Sequence, residues 1–493
     1  MATGRGWSGN ILVALLAGLI MSGAVYGGQV HYAAGVMDRA LTVQATVRHA
    51  PVELELVFAS AAWGVTGLER RITDLEVVTV TGEPVYVVEQ GMGVYGLRLT
   101  QPDDLIVRYR VQPSMSQWDH HLTMVTENHL QLTADAFFQL RDPAVDERPA
   151  YPTGTLELAL LPESWTILPY HTRDDQGFFT LSDELVIQAG MYHLRQVTLG
   201  QSSFTLAFHQ DFTPYLPLLR RMDAVLQFQY ALFGDYQGRD ALVVLNPLSG
   251  SAKDTLYAGR ALPGLAVLYT QMKKEMLHDP HLLLTRLAHE TFHLWLAQSF
   301  TLYEGMYWFT EGFARYHEYQ VLRDLELVDA DTSLRFLAEE WVAAARAQQH
   351  AAISLQKAGA YLFADPPHRV LAYAKGALIA YLFEQQLPGK TLAGFYQELY
   401  REYAGEGQAI GNREIITLMN EHLGDTTFTQ KWILESSRLS LTDLPELLPY
   451  AFAAWLAALP DIALEKAASF WGLLGLCGVA LGMYIGTKPK KGT

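Results

Sequence analysis

The segment Arg286-Leu-Ala-His-Glu-Thr-Phe-His-Leu-Trp295 decides the fold of the second half of the chain. It contains the pattern His289-Glu290-x-x-His293. Because an α-helix makes one turn in about 3.6 residues, two histidines four positions apart share a face and can offer two nitrogen atoms to one tetrahedral Zn²⁺. Glu290 follows on the adjoining turn, where its carboxylate is a candidate general base. The segment therefore predicts a zinc-binding helix.

A second segment, Tyr307-Trp-Phe-Thr-Glu311-Gly-Phe-Ala-Arg-Tyr316, contains a candidate third ligand. Glu311 follows His293 by 18 positions. That is enough chain to finish one helix, turn, and return with an antiparallel second helix. The Glu311 carboxylate would then face the two imidazoles, and three protein ligands leave a fourth position for water.

Together with a third segment, Ala372–Gly376, these two motifs resemble the conserved motifs of the gluzincin metallopeptidases. That family has H-E-x-x-H on one helix, a W-x-x-E-G-x-[AT]-x-Y-like segment on the next, and a Y-x-K-G segment that Ala372-Tyr373-Ala-Lys375-Gly376 matches. The resemblance implies that Tyr373 helps to bind the transition-state oxyanion. It also implies a thermolysin-like, mostly helical catalytic domain that uses Zn²⁺ to hydrolyse peptide bonds.

The first part of the chain is similar to the N-terminal domain of the glycyl-aminopeptidase-like gluzincins, and more distantly to the aminopeptidase N-like ones. Order and spacing carry this resemblance: a turn with Trp63, then Gly82-x-Pro-x-Tyr-x-Val88, then Leu160-Leu-Pro-x-x-Trp165. Residues 30–210 also show period-two apolar runs separated by turn residues, which predict a β-sandwich-like domain.

The catalytic domain is predicted over residues 211–442. Within it, Ala241–Leu245 and Gly264–Tyr269 are predicted strands, and the second comes just before the zinc helix. An extended substrate can pair along the edge of such a strand. Exopeptidase gluzincins place there a Glu that binds the substrate's free amine, but the segment Ala258–Val267 contains no acidic residue. Aminopeptidase specificity is therefore open.

Composition limits the classes of partner. The 493 residues include 52 acidic and 36 basic side chains, with a formal net charge of -16, which argues against nucleic-acid binding. The hydrophobic fraction of 50% is ample for large cores. The one cysteine, Cys477, excludes an intrachain disulfide framework. A peptide or protein substrate is the expected partner.

The N-terminal segment Ile11–Tyr26 is apolar and follows a short segment that bears Arg5. Its length suits the apolar region of a signal peptide and is just short for a full membrane span. Residues 1–29 are therefore predicted to be either a cleaved signal peptide or a retained N-terminal membrane anchor.

The C-terminal segment Phe470–Ile485 is apolar and is followed by a basic tail. This pattern predicts a transmembrane helix over residues 469–487, a cytoplasmic tail over 488–493, and a juxtamembrane helical region over 443–468. The lipid bilayer would then be a second partner, and the large middle portion would lie outside the cytoplasm.

The sequence thus predicts a multidomain α+β protein with terminal transmembrane segments, acting as a membrane-anchored zinc metallopeptidase. His289, His293 and Glu311 would hold the metal. Glu290 would be the general base and Tyr373 an oxyanion donor. The alternatives are an aminopeptidase that binds the amine in an unusual way, an endopeptidase, and a catalytically inactive envelope adaptor that retains the fold and the zinc site. Substrate preference and oligomeric state stay open.

Two further side chains follow on the second helix. Glu318 is a candidate hydrogen-bond partner for the second nitrogen of a ligand histidine, because metal-bound imidazoles normally donate that N–H to an oxygen. His317 is six residues past Glu311, on the wrong face for the same metal, and is predicted to be a surface or packing residue.

Overall fold

The computed structural model describes residues 30–457 except 63–64, 114–121, 142, 144–152, 169, 172, 183, 239, 249–256, 271–280, 304, 351, 390 and 406–408. The chain divides into two compact units. The first comprises Met1–Asp223 and Gly238–Leu283, and the second comprises Ala224–Gln237 and Leu284–Thr493. The domain boundaries predicted from the sequence stay predictions.

The described strands lie mostly in the first unit. They are β1 (Val30–Met37), β2 (Ala40–Ala50), β3 (Glu53–Val57), β4 (Ala61–Ala62), β5 (Val65–Thr66), β6 (Ile72–Thr79), β7 (Tyr86–Gly91), β8 (Val94–Arg98), β9 (Asp103–Val111), β10 (Met124–Val125), β11 (His129–Thr133), β12 (Gln139–Arg141), β13 (Thr155–Leu160), β14 (Thr166–Ile167), β15 (Phe179–Thr180), β16 (Val186–Gly190), β17 (Tyr192–Leu199), β18 (Ser202–His209), β19 (Asp240–Pro247), β20 (Tyr257–Leu262), β21 (Leu265–Thr270), β22 (Thr301–Leu302) and β23 (Ala409–Ile410).

Three sheets form the β-rich part of the first unit. Their strand orders are β15-β13-β1-β2-β9-β6, β12-β3-β8-β7 and β10-β11-β16-β14. Asp38 and Arg39 connect β1 to β2 with φ values of 51° and 60°, the left-handed conformation that a two-residue hairpin needs. Buried aliphatic and aromatic side chains from all three sheets form one continuous core, including Tyr32, Leu56 and Leu132. The predicted β-rich N-terminal part is confirmed.

A five-stranded sheet completes the first unit, with the order β17-β18-β19-β21-β20. The predicted strands around Ala241–Leu245 and Gly264–Tyr269 are both present, as β19 and β21. However, β21 pairs with β19 on one side and with β20 on the other. The predicted free edge at β21 is therefore wrong: among the described strands of this sheet, β20 and β17 are the edges.

Helices dominate the second unit. The described α-helices are α1 (Leu219–Phe233), α2 (His281–Leu296), α3 (Tyr307–Asp324), α4 (Ala330–His350), α5 (Leu355–Ala360), α6 (Pro366–Val370), α7 (Gly376–Gln386), α8 (Leu392–Tyr403), α9 (Asn412–Leu423), α10 (Thr427–Thr429) and α11 (Leu448–Ala457). Two π-helical turns cover Leu371–Lys375 and Gln430–Leu434, and 3-10 helices cover Leu68–Arg71, Ala134–Ala136, Gln210–Leu218 and Pro445–Leu447. The predicted α+β class, with a helical C-terminal part, is confirmed.

Side-chain caps fix the ends of several helices in the second unit. Ser354, Asp365 and Thr391 accept hydrogen bonds from the backbone N–H groups three residues ahead and so start α5, α6 and α8. Helix α9 ends at Gly424, whose φ of 78° is the left-handed conformation typical of a helix stop. These local signals fix where α5, α6 and α8 begin and where α9 ends.

The predicted transmembrane segments, the bilayer partner and the membrane localisation are corrected by the structure. Within the described part of the chain, no helix is long and apolar enough to cross a membrane. The two longest, α3 and α4, each carry several charged side chains, which a bilayer interior disfavours. The apolar segments Ile11–Tyr26 and Phe470–Ile485, like Trp63 and Cys477, lie outside the described residues.

Candidate active site

Helix α2 presents both histidines of the first motif from inside the second unit. Apolar residues surround them along the helix, and Leu287, Phe292 and Trp295 are almost completely buried. His289 and His293 themselves are only 3% and 6% exposed. Their rings lie edge to face, with centroids 4.8 Å apart. The i, i+4 spacing therefore places both imidazoles side by side in a buried position, as the sequence predicts.

Helix α3 brings the Glu311 carboxylate against both rings. Glu311 Oε2 lies 3.2 Å from His289 Nε2 and 3.6 Å from His293 Nε2. One donor atom from each of the three residues lies within 4.8 Å of the others, so the group can hold a metal ion. The Glu311 side chain is 15% exposed, the most accessible of the three. We call these three residues the metal cluster.

The donor set of the metal cluster fits Zn²⁺. Two imidazole nitrogens and one carboxylate oxygen are the ligands of many catalytic zinc sites. Burial opposes protonation of His289, but the carboxylates of Glu311 and Glu318 outweigh it and raise the pKa of His289 to about 9. Burial likewise disfavours a charged Glu311, yet His293 and His289 hold its pKa well below the ordinary value. The surroundings thus stabilise positive charge at this point, as Zn²⁺ would supply.

Glu290 lies beside the metal cluster and is 7% exposed. Burial raises the pKa of its carboxyl, while the charges of His289 and His293 act in the opposite direction. A buried carboxyl with a raised pKa can both accept and return a proton near neutral pH. Glu290 is therefore suited to proton transfer, the role that the motif predicts.

Tyr373 reaches the same place from the π-helical turn Leu371–Lys375. Its ring stacks over that of His289, with centroids 6.2 Å apart and an interplanar angle of 14°. Burial, with the negative charge of the Glu311 carboxylate, raises the pKa of Tyr373 well above its ordinary value. The hydroxyl thus stays protonated and can act as a hydrogen-bond donor.

Glu318 lies behind the metal cluster and is fully buried. Its Oε2 is 3.4 Å from His289 Nδ1 and 3.6 Å from Arg286 Nη1, and its Oε1 accepts a hydrogen bond from Arg315. Although burial alone would raise the pKa of Glu318, the two arginines lower it to about 2. Glu318 is therefore ionised and faces the ring nitrogen of His289 that points away from Glu311.

His317 is a packing residue rather than a surface one. It is 1% exposed, donates its Nε2 hydrogen to Gln229 Oε1 at 3.1 Å, and packs against the Phe292 ring. Gln229 in turn donates to the carbonyl of Ala288, the residue just before His289, at 3.0 Å. Sequence reasoning missed Gln229, because a glutamine within an amphipathic helix carries no motif.

Comparisons with known proteins show the fold. Neither protein-family models nor curated protein sequences give a match. Among solved structures, an aminopeptidase N family protein from Idiomarina loihiensis is 16% identical with a TM-score of 0.66, over 85% of this chain and 78% of that one. An M1 zinc metallopeptidase mutant from Deinococcus radiodurans, bound to a Tyr-Ser-Ala substrate, is 17% identical with a TM-score of 0.45, over 84% of this chain and 95% of that one.

The similarity to the Idiomarina protein establishes a shared multidomain α+β fold. At this level of identity it carries the fold alone, since one fold supports many activities. The resemblance to the glycyl-aminopeptidase-like gluzincins stays a prediction.

Proposed function

We propose that this protein is a zinc metallopeptidase that hydrolyses peptide bonds. The observation that carries the proposal is the convergence of His289, His293 and Glu311, with Glu290 and Tyr373 beside them. Motifs from three separate segments contribute to one buried site of gluzincin type. The fold shared with an aminopeptidase N family protein agrees with this chemistry.

In the proposed mechanism, His289, His293 and Glu311 would hold Zn²⁺. When bound, the ion would supply Lewis acidity, which would polarise a peptide carbonyl and make water more acidic. Glu290 takes a proton from the attacking water and delivers it to the leaving amine. Tyr373 donates its O–H to the carbonyl oxygen as negative charge develops there.

Two forms of peptidase remain candidates. An aminopeptidase fits the fold, since the Idiomarina structure is described as an aminopeptidase N family protein. An endopeptidase is favoured by a different observation, which comes from the sequence: the segment Ala258–Val267, where exopeptidase gluzincins carry the Glu that binds a free amine, contains no acidic residue. The inactive adaptor is not favoured, because a binding module has no chemical need for Glu290.

The test is cleavage of a quenched fluorescent peptide library by the full-length chain and by Glu290→Gln. Each peptide is supplied with a free and with a blocked N-terminus. We expect hydrolysis by the wild type and a loss of at least about a hundredfold in the variant, which lacks the proton acceptor. Cleavage restricted to free N-termini identifies an aminopeptidase, and internal cleavage of blocked peptides identifies an endopeptidase. Absence of zinc-dependent hydrolysis by the wild type would refute the proposal.

A further inference from the structure

Two aromatic side chains of the second unit are exposed and packed against each other. Tyr307, the first residue of α3, is 36% exposed, and Phe363 in the turn before α6 is 56% exposed. Their rings meet edge to face, with centroids 5.5 Å apart. Tyr361, 54% exposed, lies two residues before Phe363. We call Tyr307 and Phe363 the aromatic pair. Leaving large apolar surface in water is unfavourable by about 25 cal/mol per Å².

Close backbone packing holds the aromatic pair in place. A Cβ atom on Gly359 would lie 2.7 Å from Trp308 N and 2.9 Å from Gly305 O, so only glycine permits this approach of α5 to the start of α3. Asp365 caps α6 just after Phe363 by accepting the N–H of His368. The backbone on both sides of the pair is therefore fixed, and a ligand would meet preformed ring surfaces at low entropic cost.

The aromatic pair lies one helical turn from the metal cluster. Tyr307 precedes Glu311 by four residues on α3, so their Cβ atoms share a face at about 6 Å. Helical side chains lean toward the N-terminus, which directs the Glu311 side chain toward the turn of Tyr307. On the other side, the segment with Phe363 continues through α6 into the π-helical turn that carries Tyr373. Both rings are thus on elements that also carry site residues.

From this continuity we infer that Tyr307 and Phe363 form a specificity subsite for an aromatic or large aliphatic side chain of the peptide substrate, close to the scissile bond. The inference rests on the proposed function. The two rings are nearly perpendicular, and a further aromatic side chain can add an edge-to-face or offset-stacked contact with either of them. Tyr307 lies one helical turn from Glu311 of the metal cluster, so a side chain of a peptide held at that cluster is the occupant that this position favours.

The first readout is kinetic. Matched peptides carry Phe, Leu, Ala or Asp at each position on either side of the cleaved bond, and kcat/KM is measured for the full-length wild type, Tyr307→Ala and Phe363→Ala. We expect one position at which the wild type prefers Phe over Ala by at least about tenfold. Either substitution should reduce that ratio to about one, and Phe363→Trp should retain it. Tyr86→Ala, which removes an aromatic that is 76% exposed in the first unit, is the matched control and should keep the full ratio.

The second readout is binding without turnover. Calorimetric titration of the Phe and Ala peptides into Glu290→Gln, with and without Phe363→Ala, should give about tenfold tighter binding of the Phe peptide only when Phe363 is present. Hydrolysis without any preference for apolar residues would overturn this inference and leave the proposed function standing. A wild type that hydrolyses no peptide would refute the proposed function, and equal or absent binding of the two peptides would then overturn the inference as well.

Discussion

At the scale of single residues, the site is organised by two carboxylates on opposite sides of one imidazole. Glu311 faces His289 Nε2 at 3.2 Å, and Glu318 faces His289 Nδ1 at 3.4 Å. A carboxylate beside Nδ1 favours the ring form in which Nε2 is free to bind the metal, and it increases the basicity of Nε2. Glu318 is therefore expected to act through His289 rather than on the substrate.

We predict that Glu318→Gln weakens zinc binding by about 10- to 100-fold, because His289 loses a charged acceptor behind it. Competition with a chromophoric chelator measures the zinc affinity. The matched control is Glu340→Gln, since Glu340 also pairs with Arg315, at 2.7 Å, and none of its contacts is with His289. Equal zinc affinities for the two variants would contradict this role of Glu318.

Tyr373 provides the second residue-scale prediction. Its hydroxyl is held beside Glu311 and stays protonated, so Tyr373→Phe removes a hydrogen-bond donor and little volume. We expect kcat to fall about 10²- to 10³-fold while KM changes little, because the donor acts mainly in the transition state. Steady-state kinetics of the wild type and Tyr373→Phe on one peptide measures both constants. An unchanged kcat would contradict the role of Tyr373 as an oxyanion donor.

The main site residues could be predicted from the sequence because their chemistry requires fixed spacings. His289 and His293 are four apart and therefore share a helical face, and the 18 positions between His293 and Glu311 allow a second helix to return to that face. By contrast, Arg286 approaches Glu318 from helix α2, although the two residues are far apart along the chain. Arg315 is a local i,i+3 partner of Glu318 on α3. No local pattern distinguishes Arg286 from a solvent-exposed arginine, so only the structure reveals its contact with Glu318.

At the scale of elements, a glycine contact keeps α3 and α7 unusually close. A Cβ on Gly312 would lie 2.5 Å from Gly376 Cα, and one on Gly376 would lie 2.7 Å from Trp308 O. Gly312 follows Glu311, and Gly376 follows the π-helical turn that carries Tyr373. The backbone approach therefore places Glu311 and Tyr373 side by side.

We predict that Gly376→Ala lowers the free energy of unfolding by about 1–3 kcal/mol and also lowers kcat, because α7 must move away from α3. Gly394→Ala in α8 is the control: its Cβ would meet only Thr391 Oγ1, at 3.5 Å. There alanine should be neutral or stabilising by up to about 1 kcal/mol. Urea unfolding and peptide kinetics on both variants test the contact, and equal effects would argue against it.

Helices and strands could be predicted where the apolar residues of a segment repeat with one regular spacing. The strand near Gly264–Tyr269 and the helix with His289 both follow from their apolar spacing. The pairing of β20 (Tyr257–Leu262) with β21 could not be predicted from apolar spacing. The spacing within a strand does not show which other strand pairs with it. The π-helical turn at Tyr373 was also missed, because its extra residue per turn is set by packing rather than by propensity.

At the scale of the whole molecule, the period-two apolar runs and the gluzincin-like motifs correctly separate a β-rich first part from a helical second part. The membrane architecture was inferred from apolar length and flanking basic residues, and the structure corrects it, since no helix among the described residues is suited to span a bilayer. Apolar length measures hydrophobicity but does not show what a segment packs against. The domain boundaries remain a prediction.

The buried histidines imply that the fold is sensitive to acid. His129 is fully buried in the first unit, and burial, with the nearby His209, lowers its pKa to about 3 from 6.5. As the pH falls below 6.5, His129 therefore becomes protonated in the unfolded chain. In the folded chain His129 stays neutral down to about pH 3. The free energy of unfolding should fall with pH across this window, by up to about 1.4 kcal/mol per pH unit for this group.

Urea unfolding at several pH values between 7 and 4 measures this loss. We expect His129→Gln, whose amide can still reach Thr126, to lose less stability on acidification than the wild type. His193→Gln replaces an exposed histidine and should behave like the wild type. If His129→Gln and the wild type lose stability in parallel, the buried His129 does not contribute to acid sensitivity.

The zinc site is the central claim, and metal content tests it most directly. The full-length chain, His293→Ala and Glu311→Gln are each equilibrated with zinc, freed of excess metal and analysed by plasma mass spectrometry. We predict about one zinc ion per wild-type chain and much less in either variant, because each lacks one of three protein ligands. No retained zinc in the wild type, or equal zinc in all three proteins, would contradict the metal cluster formed by His289, His293 and Glu311.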